Sequence, residues 1–248
     1  AYNTLADSDE GSLRVDLNRA CVAFGPAGPL DFLLGGNLVR KVMVFIDFEN
    51  FNISTMSYYR SLGEAYPRLD YNKVPAEIVK MLPGANELVK TFLCAPKPDD
   101  FLMQDSRRKG TYNWINGLKN QAYFTVIEGQ HVARPVSGFT YHTMDINDPA
   151  SYYVEEKGTD INMSTHILAK AFLNAYDTAV VVSGDTDYIP VLDVLNTIGK
   201  VAVSVGGKGQ KMTKLKAHSD DVIVLDREYF DRCLRPTPQK TDSDNGDN

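Results

Sequence analysis

Residues 178–182 (TAVVV) form a short β-branched run of the kind that is buried on both faces of a parallel sheet. The run passes directly into Ser183-Gly184-Asp185-Thr186-Asp187. Two carboxylates therefore stand at the carboxyl end of a central strand, the place where open α/β sheets bind ligands. On the upstream side, Ile161, Thr165, Leu168, Ala171, Phe172 and Ala175 recur at helical spacing. On the downstream side, residues 188–198 read as a helix closed by Gly199, and residues 200–205 as a further strand.

The same logic applies near residue 40. Val42-Met43-Val44-Phe45-Ile46 is a continuous apolar strand that releases Asp47 at its carboxyl end and continues as Phe48-Glu49-Asn50-Phe51-Asn52. Residues 54–71 are aromatic and polar without a clear period. Residues 74–82 read as a short helix with Pro75 near its start and Pro83-Gly84 as its stop. Residues 87–95 are a second strand, residues 105–120 a helix with Tyr112, Ile115 and Leu118 on one face, and residues 123–128 a third strand. Strands alternating with helices predict an α/β fold with a right-handed, mainly parallel sheet and helices on both faces. Residues 131–155 interrupt the alternation with aromatic and Pro/Gly-rich sequence and are expected to form a flap or hairpin. A last strand is expected at residues 222–225. The expected domain spans residues 41–233, between an N-terminal extension of unknown role (1–40) and a polar, disordered tail (234–248).

At 248 residues and 43% apolar content, the chain can bury a full core in one domain. Cys21, Cys94 and Cys233 lack metal-ligand spacing, which argues against a disulfide framework and a zinc site and for a reducing compartment. Without a membrane-length apolar run or a signal-peptide pattern, a cytoplasmic location is expected. The net charge of -6 means that a nucleic-acid partner has to be held by a local basic patch. Lys208, Lys211, Lys214 and Lys216 form one candidate patch that could equally be a solvated face, and Arg107, Arg108 and Lys109, at the start of a helix, form a weaker one.

The ordered combination of a strand ending in Asp-x-x-Asn (Asp47, Asn50), Glu-Lys-Gly-x-Asp opening a helix (Glu156 to Asp160), Ser-Gly-Asp-x-Asp (Ser183 to Asp187) and Gly-Lys-x-Val resembles the NYN domain family of PIN-like nucleases, in its LabA-like branch. The resemblance covers about residues 41 to 230 and implies a Rossmann-like, three-layer PIN-like fold with a metal-dependent ribonuclease site. It implies Asp47, Asp160, Asp185 and Asp187 as metal or water ligands and Asn50 as a supporting polar group. Six positions after Asp160, where many relatives carry a second Asp, this chain has His166. That residue lies about 240° around the helix from Asp160, so packing is the expected role.

The chemistry of the residues points the same way. Asp47, Asp185 and Asp187 converging at one sheet end repel, so they need raised pKa values or a bound cation. Carboxylate oxygens without His or Cys partners suit Mg²⁺ or Mn²⁺. Such a cation supports hydrolysis of RNA phosphodiesters. Bland roles stay open: Asp185 or Asp187 as a helix cap, Asp47 and Asn50 as a turn, Ser183 as a backbone partner, Glu49 as a solvated strand-end group, and the aromatics of residues 139–153 as flap packing. A non-catalytic module that binds RNA or a protein is the alternative function, and a small-phosphoester hydrolase a third. RNA is the expected partner, with no membrane association and with self-association left open.

Overall fold

Along β1 (Arg40–Asp47), side chains alternate between two cores, with Val42, Val44 and Ile46 on one face and Met43 and Phe45 on the other. Both faces are covered, so the run is apolar throughout instead of alternating with polar residues. Each fully buried aliphatic or aromatic side chain contributes about 1.5–3 kcal/mol, which makes this strand a rigid support for whatever its end carries. The computed structural model describes residues 39–236. Almost all of the expected extension and tail lies outside the described residues.

Around β1 the sheet is completed by β2 (Asn86–Pro98), β3 (Phe124–Pro135), β4 (Tyr152–Lys157), β5 (Thr178–Val182), β6 (Val201–Gly207) and β7 (Asp221–Leu225). The order is β4-β3-β2-β1-β5-β6-β7, and every pair is parallel except β3 with β4. The chain builds outward from β1 through β2 and β3, then returns to the other side of β1 with β5. The carboxyl ends of β1 and β5 thus flank the point where the strand order reverses, which opens a crevice there.

Helices α1 (Phe48–Ser61), α2 (Lys73–Lys80) and α3 (Ser106–Gly117) pack on one face, joined by the late α7 (Arg227–Arg232). Helices α4 (Thr159–Phe172), α5 (Ile189–Thr197) and α6 (Thr213–Lys216) cover the other. The three-layer α/β architecture expected from the alternation is the one observed.

Three local expectations need correction. The first part of the aperiodic stretch, residues 54–61, is helical, because α1 buries Ser54 and Thr55 beside Phe48, Phe51, Tyr58 and Tyr59. The two hydroxyls donate to the Phe51 carbonyl at 2.9 and 2.7 Å, so polar residues sit inside at no hydrogen-bonding cost. On α4 the buried stripe is Thr159, Met163, Ile167 and Ala171, whereas Ile161 and Phe172 are 68% and 67% exposed. Apolar residues line two adjacent stripes of this helix, and the Met163 stripe is the one that packs into the core; Gly158 enters the helix with a φ of 78°. Strand β3 continues to Pro135 because the expected hairpin forms as an antiparallel pair with β4 and extends it.

Candidate active site

Asp47 ends β1 and caps α1: its Oδ1 accepts from the Asn50 N–H at 3.1 Å, and its Oδ2 accepts from Ser183 Oγ at 3.0 Å. The residue is 7% exposed. Burial pushes its carboxyl up to about 6; the bonds from Asn50 and Ser183 oppose the rise, and the charges of Asp160 and Glu156 add to it.

Asn50 serves as a clamp. Its Oδ1 accepts from the Gly184 N–H and from Gln210 Nε2, both at 2.9 Å, and Gln210 Oε1 accepts from the Gly207 N–H at 2.7 Å. One amide of α1 thereby ties the loop after β5 to the loop after β6. A Cβ at Gly184 would stand 2.7 Å from Gln210 Nε2, so a side chain there would displace the amide that Asn50 holds.

Within the β5 loop, Ser183 Oγ accepts from the Asp185 N–H at 3.1 Å, and Asp185 Oδ1 accepts from the Asp187 N–H at 3.0 Å. Asp185 is thus the cap of the short 3₁₀ turn Thr186–Tyr188 that leads into α5. Asp187 contributes its backbone N–H to that cap and not its carboxylate. Asp160, in the first turn of α4, accepts from the Tyr188 hydroxyl at 2.8 Å. Burial, with the charges of Asp47 and Asp160, holds the Tyr188 phenol far above its usual range, so it remains a neutral donor.

Carboxylate oxygens of Asp160, Asp185 and Asp187 all lie within 4.8 Å of one another. Asp47 stands outside that group, although its charge and that of Asp160 act on each other. The structure therefore brings together three of the four expected aspartates at the crevice and places the fourth beside them, buried, with both oxygens engaged. An all-oxygen donor set of this kind fits Mg²⁺ or Mn²⁺.

His166 is half-buried with its ring against Phe92, centroids 5.8 Å apart, as expected of a packed residue. Lys208, Lys211, Lys214 and Lys216 are exposed, and Lys208 lines a cleft of about 330 Å³ with Asn50, Ser57 and Gln210. Arg107 and Arg108 line a separate cleft of about 220 Å³ with Glu49 and His131. In the hairpin, Tyr141 accepts from Arg134 Nη1 at 2.7 Å, and Tyr152 packs edge-on against Phe101, so these aromatics are engaged in local structure. Sequence reasoning missed Tyr188 and Gln210 as site residues. Neither has a motif signal, because each reaches its partner only through the fold.

No functionally curated protein matches the chain. In structure it is similar to a protein of unknown function from Vibrio parahaemolyticus, with a TM-score of 0.50 and 15% identity over 81% of this chain and 99% of that one. That likeness concerns the fold. The NYN domain family model matches residues 41–226. The match assigns no branch within the family, but it takes in both strand ends, Asp160 and the Ser183–Asp187 loop. This chain, with its PIN-like nuclease fold and an acidic cluster at the sheet's crevice, belongs to the NYN domain family.

Proposed function

We propose that the chain is a metal-dependent endoribonuclease that hydrolyses RNA phosphodiesters at the crevice between β1 and β5. The observation that carries this reading is the convergence of Asp160, Asp185 and Asp187 within 4.8 Å at the point where the strand order reverses. Three carboxylates so placed offer an all-oxygen set that one divalent cation can join. A bound Mg²⁺ or Mn²⁺ supplies a Lewis acid for phosphate oxygens and lowers the pKa of water.

The chain's own residues have distinct tasks in this reading. Asp160, Asp185 and Asp187 hold the cation, with Tyr188 fixing Asp160 and the Ser183 hydroxyl fixing the Asp185 backbone. Asp47, buried and with a carboxyl near 6, can take or release a proton at the edge of the site close to neutral pH. Asn50 keeps the two loops together. Lys208 and the lysines after it offer phosphate contacts along the neighbouring cleft.

Incubating mixed RNA with and without Mn²⁺, beside an Asp185→Asn protein and a small aryl phosphate substrate, tests the proposal. Metal-dependent cleavage of RNA that disappears in the variant is expected. RNA binding with no cleavage by the parent would leave a binding module, and turnover of the aryl phosphate alone would leave a small-phosphoester hydrolase.

A further inference from the structure

His131 on β3 and Glu156 on β4 are register partners across the antiparallel pair, so their side chains leave the hairpin on the same face. Glu49, in the first turn of α1, reaches the same point: its Oε1 lies 3.3 Å from His131 Nε2, and Glu156 Oε2 lies 4.0 Å from that nitrogen. One ligand atom from each residue falls within 4.8 Å of the others. The His131 side chain is only 15% exposed. Glu49 and Glu156 stand within reach of each other as well as of the imidazole.

A second observation concerns Thr159, which is 2% exposed. Its side chain lies against Glu156, and among the described residues no group stands in full hydrogen-bond geometry to the buried Oγ1. A buried hydroxyl left unpaired beside the cluster is the kind of group that ordered water on an ion satisfies.

We propose that Glu49, His131 and Glu156 form a second cation site, separate from the three aspartates, that takes a divalent transition ion such as Zn²⁺ or Mn²⁺. One imidazole nitrogen with two carboxylates suits these ions better than Mg²⁺, which prefers oxygen ligands and keeps its water. The donors come from α1 and from both strands of the hairpin, so an ion there would fasten the hairpin to the helix that carries Asn50. Arg108 also acts on Glu49 and is the competing cation when no metal is bound.

The inference stands apart from the nuclease reading, and its test involves no RNA. Zn²⁺ is titrated calorimetrically into the full chain, into an Asp185→Asn/Asp187→Asn protein, and into that protein carrying His131→Gln or Glu156→Gln in addition. The aspartate double variant is expected to retain Zn²⁺ binding and to gain thermal stability from it. Adding either further change is expected to weaken that binding roughly tenfold or more. Loss of all Zn²⁺ binding in the aspartate double variant overturns the proposal, as does unchanged affinity in both the His131→Gln and Glu156→Gln backgrounds. Should His131→Gln melt early without metal, Glu156→Gln decides the matter alone.

Discussion

The buried Tyr188 hydroxyl donates to Asp160 Oδ1 at 2.8 Å, joining the turn that follows β5 to the first turn of α4. Asp160 is exposed, and this bond gives its carboxylate one fixed orientation towards Asp185 and Asp187. Replacing Tyr188 by Phe removes the bond and keeps the ring. Stability should fall by about 1 kcal/mol. Metal-dependent cleavage should drop roughly 10- to 100-fold, the usual effect of losing a partner that orients a ligand. Thermal melts and single-turnover cleavage on the same preparations check both; cleavage at the parental rate would reduce the bond to packing.

Asp47 gives the protein a defined pH dependence. Its folded carboxyl, at about 6, lies above the ordinary 3.8, so the folded state binds more protons than the unfolded state between those values. The contribution of this group to stability is therefore greatest below the ordinary value and declines as pH rises through about 6. Above that, the ionised buried carboxylate costs roughly 3 kcal/mol. Asp47→Asn should remove this decline, since an amide can still accept from the Asn50 N–H and donate to Ser183 Oγ. Without added metal, the variant should match the parent at about pH 4 and melt higher at about pH 7. Melting curves that remain parallel across this range would mean that Asp47 ionises as freely in the fold as in solution.

Much of this site can be traced to short sequence signals, and the rest cannot, for physical reasons. Asp47 and Asp185 were legible because each follows an apolar run, and parallel order alone brings such strand ends to one edge. Tyr188 and Gln210 were not, because their partners lie 28 and 160 residues away and a motif records no such distance. The His131–Glu156 pair depends on hairpin register, which a Pro/Gly-rich stretch does not reveal. The helical face of α1 was hidden because Ser54 and Thr55 bond back to the Phe51 carbonyl and behave as interior residues. On α4 the helix was recognised but its face was misread, since periodicity marks an amphipathic helix without saying which of two adjacent stripes meets the sheet.

The lysines after β6 can be separated from a solvated face by salt dependence. Lys208 shares its cleft with Asn50, whereas Lys211, Lys214 and Lys216 are exposed farther along the same segment. Each phosphate contact on a single strand contributes about 0.7 to the slope of log affinity against log salt. Lys208→Glu with Lys211→Glu should therefore weaken RNA binding and flatten that slope, with sequence preference unchanged. Filter binding at several salt concentrations reads this directly. An unaltered slope would remove the segment from the RNA path.

The clamp formed by Asn50 allows a sharper separation of structure from chemistry, because two substitutions at one position make opposite changes. Asn50→Ala deletes the oxygen that accepts from the Gly184 N–H and Gln210 Nε2, leaving two partly buried donors unpaired. Unmet groups of this kind cost about 1–3 kcal/mol each when fully buried, so the variant should melt lower. Cleavage should fall as well, because the loop bearing Asp185 and Asp187 loses its tie to α1. Asn50→Asp keeps an accepting oxygen in the same place, so both donors stay satisfied, and a charge-assisted bond is the stronger kind. It also adds a negative charge next to Asp47, whose burial already disfavours ionisation. The Asp variant should therefore melt close to the parent at low pH, with the pH for half-maximal cleavage shifted upwards. If Asn50→Ala melts and cleaves like the parent, the two loops are held by their own packing and the amide is dispensable.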